Sequence, residues 1–476
     1  MQLSYQIPPA QEPPKRSCCL RKSVETFPFL QSNYPVSTFK QKQGWPYNLL
    51  YIQRTKAFLT TKALCMFIKT RHHHSHHHIV SIAVIVGALG YFVDVYDLLL
   101  FSIIRKPSLT ELGLNPITDG ENILSIQMIG LLLGGVLWGV LGDKRGRLSV
   151  LFGSILIYSV ANICNGFAQN YTQYAALRFI AGIGLAGELG ASVTLVSELV
   201  SKEHRGICTS VIASVGLCGA IAAYFIKQEF SWRICYFIGG GMGLLLLVLR
   251  VSIFESGLFA KMKDMAVKRG NLLMLVNPRE RFARYLKCIL IGLPTWFVGG
   301  ILIGFSDKFA LEMHIREPID VGKAILFFYV AGSVGDIIIG FLSNILKSRK
   351  EPVFIYFLIT VVCMVLYFTQ NSGSANVFYG ICAGLGFGGG FWAIFITMAA
   401  EQFGTNLRAT ATTTVPNMVR GSLPLTIILF KWLRSLTGDN YVMSGCITAS
   451  VCMVIAVIAL YLKKESFGKD LNFVEA

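Results

Sequence analysis

The chain has 476 residues, of which 53% are hydrophobic and only 14% are charged. About a quarter of the residues in a soluble domain are charged, so this composition excludes an ordinary soluble protein. The net charge of +17 would suit a nucleic-acid-binding protein, but the excess lies in the first 78 residues and in short loops between apolar stretches. This distribution favours a membrane protein and gives no reason to expect a nucleic-acid partner.

The first 78 residues differ from the rest because they are polar, basic and rich in proline. They contain no cleavable apolar segment of the kind that a secretory signal needs. Two interpretations stay open: residues 1–78 are a disordered cytoplasmic tail, or they precede a true start at Met66. We expect a chain that begins at Met66 to insert and transport like the whole sequence.

A histidine-rich tract, His72–His78, directly precedes the first apolar stretch. Tracts of this kind can bind zinc or copper, so metal sensing is one interpretation. No neighbouring carboxylate or cysteine completes a ligand set here. We therefore predict no metal site and interpret the tract as a solvated segment that meets anionic lipid headgroups.

Twelve apolar stretches follow, each near the 20 or so residues that a helix needs to cross a bilayer. We predict membrane-spanning helices at 80–103, 122–142, 149–167, 173–199, 207–227, 233–254, 286–306, 321–345, 353–370, 375–400, 409–430 and 441–462. A basic linker at 255–285 separates the sixth from the seventh. The predicted fold is therefore an all-α membrane protein with twelve transmembrane helices in two six-helix bundles, at 79–254 and 286–462. The final segment, 463–476, is predicted to be a cytoplasmic tail.

Positive charges concentrate in alternate loops of this plan. The basic loops contain Lys144, Arg145, Arg147, Lys202, Arg205, Lys347, Arg349 and Lys350. Cytoplasmic loops of membrane proteins carry such an excess of lysine and arginine. We therefore expect a multi-pass protein of the inner (plasma) membrane, with both termini and the 255–285 linker in the cytoplasm.

Three acidic residues inside apolar stretches are the strongest functional signal in the sequence. Asp94 and Asp97 are three residues apart in the first stretch, so they lie near one face of a helix. Glu188 lies in the fourth stretch. A charge within the membrane is costly and usually belongs to an ion or substrate pathway. We predict that these carboxyl groups couple transport to protons.

The two halves of the chain repeat a local pattern. Glu198 precedes Arg205 by seven residues at the end of the fourth stretch. Glu401 precedes Arg408 by the same distance at the end of the tenth stretch, 203 residues later. Six plus six helices with an internal repeat are typical of secondary transporters, in which substrate binds at mid-depth between the halves.

The loop after the second stretch reads Gly-Val-Leu-Gly-Asp-Lys-Arg-Gly-Arg over 139–147. Its glycines allow two helices to approach and the chain to turn, and Asp143 can cap the next helix. This string resembles the loop signature of the major facilitator superfamily. The resemblance implies that the loop and the repeated Glu–Arg pairs form an inner gate. The implied gating residues are Gly139, Asp143, Arg145, Gly146, Arg147, Glu198, Arg205, Glu401 and Arg408.

Further strings extend the resemblance across about 80–476. Gly187–Gly190 is similar to the metabolite:proton symporter branch, Phe92–Asp97 to proton-coupled phosphate porters, and Glu465–Leu471 to sugar porters. The fifth stretch lacks the Gly-Pro motif of drug:proton antiporters. The resemblance therefore implies symport. It leaves the substrate open among organic acids, phosphate, amino-acid derivatives and sugars.

In the fold that the resemblance implies, the first and fourth helices are neighbours around a cavity. Arg178 would then meet Asp97, or Asp94 one turn deeper. Burial favours the neutral carboxyl group and a nearby arginine favours the charged one, a balance that a proton-coupling site needs. The alternative is a static structural ion pair. For Glu188 the choice is among a proton acceptor, a substrate ligand and a hydrogen-bonded core residue.

Polar and aromatic residues in several stretches are candidates to contact the substrate. They are Tyr96, Asp336, Trp392, Asn417 and Arg420. Arg420 could bind an anionic group, because a guanidinium pairs well with carboxylate or phosphate. It could instead extend its side chain toward the membrane surface.

The sequence therefore predicts a proton-coupled symporter of a small polar or anionic metabolite that works by alternating access. A proton antiporter that exports a small molecule is the alternative within transport, and a non-transporting membrane receptor is the alternative of another class. No nucleophile–base pair or cofactor motif indicates an enzyme, so we expect no enzymatic activity, cofactor or metal. The expected partners are a small-molecule substrate, protons and the lipid bilayer, and the chain is expected to be a monomer.

Overall fold

The computed structural model describes residues 84–200, 204–255, 273–371, 373–469 and 473–475. These residues fall in one unit, 70–476, while the other unit, 1–69, lies outside the described residues. Predictions for the N-terminal tail, for the histidine tract and for most of the 255–285 linker also lie outside them. The same holds for the side chains of Arg147 and Glu198.

All regular structure in the described part of the chain is helical. The helices are α1 Val84–Glu111, α2 Thr118–Arg145, α3 Arg147–Asn165, α4 Tyr171–Leu185 with Glu188–Leu199, α5 Arg205–Glu229, α6 Trp232–Glu255, α7 Arg279–Phe297 with the π-helical Val298–Ile303, α8 Val321–Ile345, α9 Lys350–Thr369, α10 Ala375–Gly389 with Trp392–Gln402, α11 Arg408–Gly421 with Leu423–Leu436, and α12 Tyr441–Tyr461. Two short helices, Leu273–Val276 and Ser306–Glu312, lie in the connections.

Ten helices in the described ranges are long and apolar enough to cross a membrane. The apolar part of α3, Ser149–Asn165, is shorter, and α11 is interrupted at Ser422. These two occupy the places of the third and eleventh predicted spans. The all-α membrane fold is confirmed, and the count of twelve spans stays a prediction.

Several helices run past the predicted apolar stretches. The sequence predicts an end of the first helix at 103, whereas α1 continues to Glu111. The helix stops where Gly113 adopts a positive φ of 69° and the amide of Leu114 donates to the carbonyl of Leu109 at 2.8 Å. This is a glycine C-cap, which satisfies the last carbonyls of the helix. Apolar composition therefore located the helix, and local turn chemistry set its end.

Helices α4 and α10 are both interrupted within the membrane-spanning part. The breaks include Gly187 in α4 and Gly390 in α10, which are 203 residues apart, the same offset as the repeated Glu–Arg pairs. Close packing explains the glycines of α4. A side chain at Gly184 would lie 2.6 Å from the backbone nitrogen of Tyr158 on α3. Small residues permit such backbone approach between helices in membranes.

The two halves meet along two extended helix pairs, α2 with α11 and α5 with α8. Within the first half, α4 packs on α2 and α3, and α3 packs on α6. Within the second half, α10 packs on α8 and α9, and α7 packs on α12. The interface between the halves thus runs through the middle of the protein, where a transporter of this plan binds its substrate.

The contact of α2 with α4 leads to a stability prediction. A Cβ atom at Gly134 would lie 2.7 Å from the Cα atom of Ile183, which is backbone and cannot rotate away. Gly134→Val should therefore force the helices apart, at a cost of about 1–3 kcal/mol or more, and lower the melting temperature of the purified protein. The neighbouring Leu133 is 49% exposed, so Leu133→Val serves as the control. Equal melting of the two variants would contradict this packing.

A candidate substrate cavity and its inner gate

A partly open cavity lies between the two halves. Aromatic side chains supply most of its bulky walls, namely Tyr91, Trp296, Phe328, Tyr329 and Trp392. Glycines of α7, α8 and α10 line the spaces between them, and Arg420 supplies the positive charge. The cavity therefore suits a flat apolar ligand that carries one anionic group.

Arg420 is buried in the cavity wall. Its Nη2 donates to the Tyr91 hydroxyl at 3.4 Å, and its Nη1 donates to Asn417 Oδ1 at 3.5 Å. The guanidinium carbon lies 5.7 Å from the ring centre of Trp296 and 5.9 Å from that of Trp392. Its Nε has no hydrogen-bond partner among the described residues, and no carboxylate there forms a salt bridge with it. Of the two interpretations of Arg420, the geometry favours the cavity over the membrane surface.

The predicted proton-coupling residues Asp94 and Asp97 are fully buried on α1. No oxygen of either carboxyl group has a hydrogen-bond partner within the described ranges. Arg178 lies within electrostatic range of Asp97, but its Nη2 donates to Asn162 Oδ1 instead. The guanidinium also lies 4.7 Å from the ring centre of Tyr236. Arg178 therefore donates this hydrogen bond to Asn162 of α3, and not to Asp97, with which the sequence analysis expected it to pair.

Glu188 is held by Arg250, a residue of α6 that the sequence analysis did not single out. Arg250 Nη1 donates to Glu188 Oε2 at 2.9 Å, and Nη2 contacts Oε1. Arg250 also donates to the carbonyls of Val86 on α1 and Leu151 on α3, each at 3.2 Å. Ser192 donates to Glu188 Oε1 at 3.2 Å. Four helices meet at this closed network, which favours the core interpretation of Glu188 over a proton acceptor or a substrate ligand.

Two residues that were predicted to contact the substrate, Tyr96 and Asp336, do not line the cavity. The Tyr96 hydroxyl donates to the carbonyl of Cys235 on α6 at 2.9 Å, since Tyr96 points to a different face of α1 from its cavity-lining neighbour Val95. Asp336 Oδ1 accepts from the amide of Ala393 at 3.0 Å, at the start of the second segment of α10. Asp336 therefore positions Trp392, which lines the cavity, and does not line it itself.

Asn417 connects the cavity to the first half of the protein. Its Nδ2 donates to the carbonyl of Ala186, at the break in α4, at 2.8 Å, and to the carbonyl of Thr413 at 2.7 Å. Its Oδ1 accepts from Arg420. Asn417 thus acts on the cavity by orienting the arginine, and it joins α11 to α4.

At the inner end, where α2 gives way to α3, Asp143 reaches across to the other half. It accepts from the amides of Ala409 and Thr410, at 3.2 and 2.9 Å, and from the Thr410 hydroxyl. A carboxylate at the first turn of a helix satisfies free amides and complements the helix dipole. These hydrogen bonds join α2 to the start of α11. Gly139 makes the approach possible, since a Cβ there would lie 3.0 Å from the Thr410 Cα.

A cluster of buried charged residues adds to the contacts that Asp143 makes between the halves. Glu401 accepts from Arg349 at 3.0 and 3.3 Å and lies 3.6 Å from Arg205 Nη1 of the first half. Arg408 Nε donates to the carbonyl of Ala400 at 3.3 Å. Arg145 is exposed, and Gly146, with φ +93°, makes the turn into α3.

Hydroxyl groups join the halves between the cavity and this cluster. Thr194 contacts Thr412 at 2.5 Å, and Thr209 contacts Thr397 at 2.8 Å. Each is a single hydrogen bond between hydroxyl groups of opposite halves. These contacts join the halves at the end where α2 gives way to α3.

The segment after α12 attaches to the inner end of the second half. Glu465 accepts from the Ser348 hydroxyl at 2.6 Å and from the amides of Arg349 and Phe467, both at 2.9 Å. Burial opposes the charged form, but these hydrogen bonds hold the pKa of Glu465 at about 2. The tail therefore stays anchored as a carboxylate at neutral pH.

The helical fold, the cavity between two halves and the inner closure define a polytopic membrane transporter for small molecules, not an enzyme. The chain belongs to the Major Facilitator Superfamily, whose family model matches residues 81–423. It is 26% identical to the niacin transporter NiaP of Acinetobacter baylyi, over 82% of this chain and 95% of that protein. It is 22% identical to the benzoate transport protein of the same organism, over 80% and 88% of the two chains. Among solved structures, the proton:xylose symporter XylE, bound to 6-bromo-6-deoxy-D-glucose, superposes with a TM-score of 0.64 at 16% identity, over 83% and 98% of the two chains, which supports the fold alone.

The inner closure leads to a prediction about gating. Asp143→Ala removes hydrogen bonds that exist only when the inner end is shut, worth about 2 kcal/mol together. This loss should raise the ratio of inward-open to inward-closed protein roughly thirty-fold. A cysteine introduced at Leu217 in the cavity wall should then react faster with a thiol reagent added from the inner side.

Lys144→Ala is the control, because Lys144 is exposed and adjacent in sequence. It should leave the labelling rate unchanged. Unchanged labelling of the Asp143→Ala protein, together with lost transport, would assign Asp143 to insertion or assembly instead of gating.

Proposed function

We propose that this protein imports small aromatic carboxylates together with protons, by alternating exposure of the cavity between its halves. One observation carries the proposal: Arg420 is a buried cation that forms no salt bridge with a carboxylate of the described residues, although Asp94 lies within its electrostatic range, and it faces a cavity with aromatic walls. A buried charge that lacks a partner is costly, and a substrate carboxylate would supply the missing charge and acceptor.

The walls suit the remainder of such a substrate. Indole and phenol rings provide flat apolar surfaces, and ring pairs favour offset or edge-on contacts with a bound aromatic ring. Niacin and benzoate, the compounds in the names of two relatives, are aromatic monocarboxylates. Sugars carry many hydroxyl groups that need hydrogen-bond partners, so these apolar walls suit a sugar less well.

Protons would make uptake of an anion favourable. Moving one negative charge into a cell against an inside-negative potential costs about 2.3 kcal/mol per 100 mV. One accompanying proton removes this cost. The buried carboxyl groups of Asp94 and Asp97 are the candidates to carry it, because neither forms a salt bridge with the arginine in its electrostatic range, Arg420 for Asp94 and Arg178 for Asp97. Asp94 lies one helical turn from Tyr91, which contacts Arg420, so the proton and substrate sites are adjacent.

Alternating access would use the inner closure described above. Its contacts would be the hydrogen bond that Asp143 of α2 accepts from the amide of Thr410 on α11 and the approach of Glu401 to Arg205. Substrate would enter from the opposite end, and separation of these contacts would release it to the cytoplasm. The proposed location is the plasma membrane with both termini inside, as the basic inner loops indicate.

The substrate assignment predicts a strong effect of Arg420→Gln. Loss of the charge-assisted hydrogen bonds should cost about 2–3 kcal/mol, so the KM for nicotinate uptake should rise roughly 30- to 150-fold. Uptake of labelled nicotinate and benzoate into proteoliposomes measures this. Arg434→Gln is the matched control, since Arg434 lies on the same helix and pairs with Asp439. An unchanged KM in Arg420→Gln would remove Arg420 from the substrate site.

The coupling assignment predicts a separation of accumulation from exchange. Asp97→Asn, alone or with Asp94→Asn, should abolish accumulation driven by a pH gradient and leave exchange of preloaded substrate partly intact. The reason is that only the proton step needs a titratable group. Glu111→Gln on the same helix is the control. Continued accumulation in the double variant would refute the assignment, and a pH gradient of the reverse direction would reveal an antiporter.

A further inference from the structure

We propose that Arg105 forms a second, weaker carboxylate-binding site at the outer end of the substrate path. This site rests on the proposed function and deepens it, because it would receive the anionic aromatic substrate before Arg420 does. The outer end is the one at which α1 ends and α2 begins. Cavity continuity, helix geometry and the surroundings of Arg105 support the proposal independently.

A second cavity lies next to the first, toward the end at which α1 ends and α2 begins. The two share several lining residues, namely Leu98, Leu99, Trp296, Gly299 and Tyr329. Arg105 lines the outer cavity, and Arg420 lines the inner one. The shared aromatic walls therefore form one path with an arginine at each end.

One face of α1 follows this path. Tyr91, Leu98, Ser102 and Arg105 are spaced by seven, four and three residues, which is the spacing of one helical face. At 1.5 Å per residue, Arg105 lies about 21 Å along the axis from Tyr91. Since Tyr91 contacts Arg420, the two arginines lie toward opposite ends of this stretch of α1. We therefore treat them as successive sites.

The surroundings of Arg105 resemble those of Arg420. Its guanidinium carbon lies 5.5 Å from the ring centre of Phe305, a cation–π contact. In the described part of the chain no hydrogen bond or salt bridge engages the guanidinium. By contrast, Arg233 at the same end pairs with Glu111 at 3.3 Å and binds two backbone carbonyls. Arg105 is thus available to an incoming anion.

Two acidic residues, Glu121 and Asp307, lie within electrostatic range of Arg105. Their charges determine how strongly Arg105 attracts an anion. Glu121 is engaged by Lys431, which offsets its charge. Asp307 makes no salt bridge among the described residues, so it weakens the attraction of Arg105 for an anion. A weak outer site is useful, because substrate must leave it to reach the inner one.

Gly120 fixes the position of the Arg105 stem. A Cβ atom there would lie 2.6 Å from Arg105 Cδ, so the side chain lies directly over this glycine at the start of α2. Gly120→Ala should therefore displace Arg105 without removing its charge. The neighbouring Lys106 is exposed and lines neither cavity. Lys106→Gln is the matched control for loss of one positive charge.

The test is the initial rate of nicotinate uptake against concentration, at low and high salt. Arg105→Gln should raise KM about five-fold, leave the maximal rate per folded protein near the wild-type value, and weaken the salt dependence of KM. Gly120→Ala should change KM in the same direction, Arg105→Lys should change it less, and Lys106→Gln should leave it unchanged. A loss of maximal rate or melting temperature without a change in KM would show a structural role and overturn the site.

The outcomes separate the two proposals. Wild-type protein that transports no aromatic carboxylate would overturn the proposed function, and the substrate of the Arg105 site with it. Wild-type protein that transports nicotinate, with an unchanged KM in Arg105→Gln and Gly120→Ala, would overturn the outer site alone. If one of these variants fails to fold, the other decides.

Discussion

A positive charge buried between two apolar bundles is the constraint on which the rest of this structure depends. Arg420 cannot be left in a dry interior without compensation. Two aromatic faces, the Tyr91 hydroxyl and the Asn417 amide oxygen supply part of it. None of these is an anion, and Asp94, which lies within electrostatic range, forms no salt bridge with it. Under the proposed function, the carboxylate of a substrate would complete this arrangement.

Hydrogen bonds and charge pairs act both within each half and between the halves. Within the first half, Glu188 and Arg250 form a paired network that holds four helices. Breaking a buried pair of this kind is strongly destabilising. Between the halves, Asp143 accepts hydrogen bonds from backbone amides and Thr194 meets Thr412. The proposed alternating access would require these contacts between the halves to separate while the network within the first half stays intact.

Much of the fold was predictable because membrane spans are set by one simple quantity, the length of an apolar run. The run at 80–103 located α1, although the glycine C-cap at Gly113 placed the end eight residues further on. The inner loop was predictable from its glycines and from Asp143. The partner of Asp143 was not, since it lies 266 residues away at Ala409 and hydrogen-bonds through a backbone amide that carries no sequence signal.

The sequence by itself determined that the chain spans a membrane in two repeated halves. It also showed that Asp94, Asp97 and Arg420 are charged residues inside apolar stretches, where a charge costs free energy and usually has a function. These follow from composition and periodicity, which act locally along the chain. Only the tertiary structure decided which charges are paired. It joined Glu188 to Arg250 and left Arg420 in an aromatic cavity, because charge compensation depends on distances between helices that no local pattern encodes.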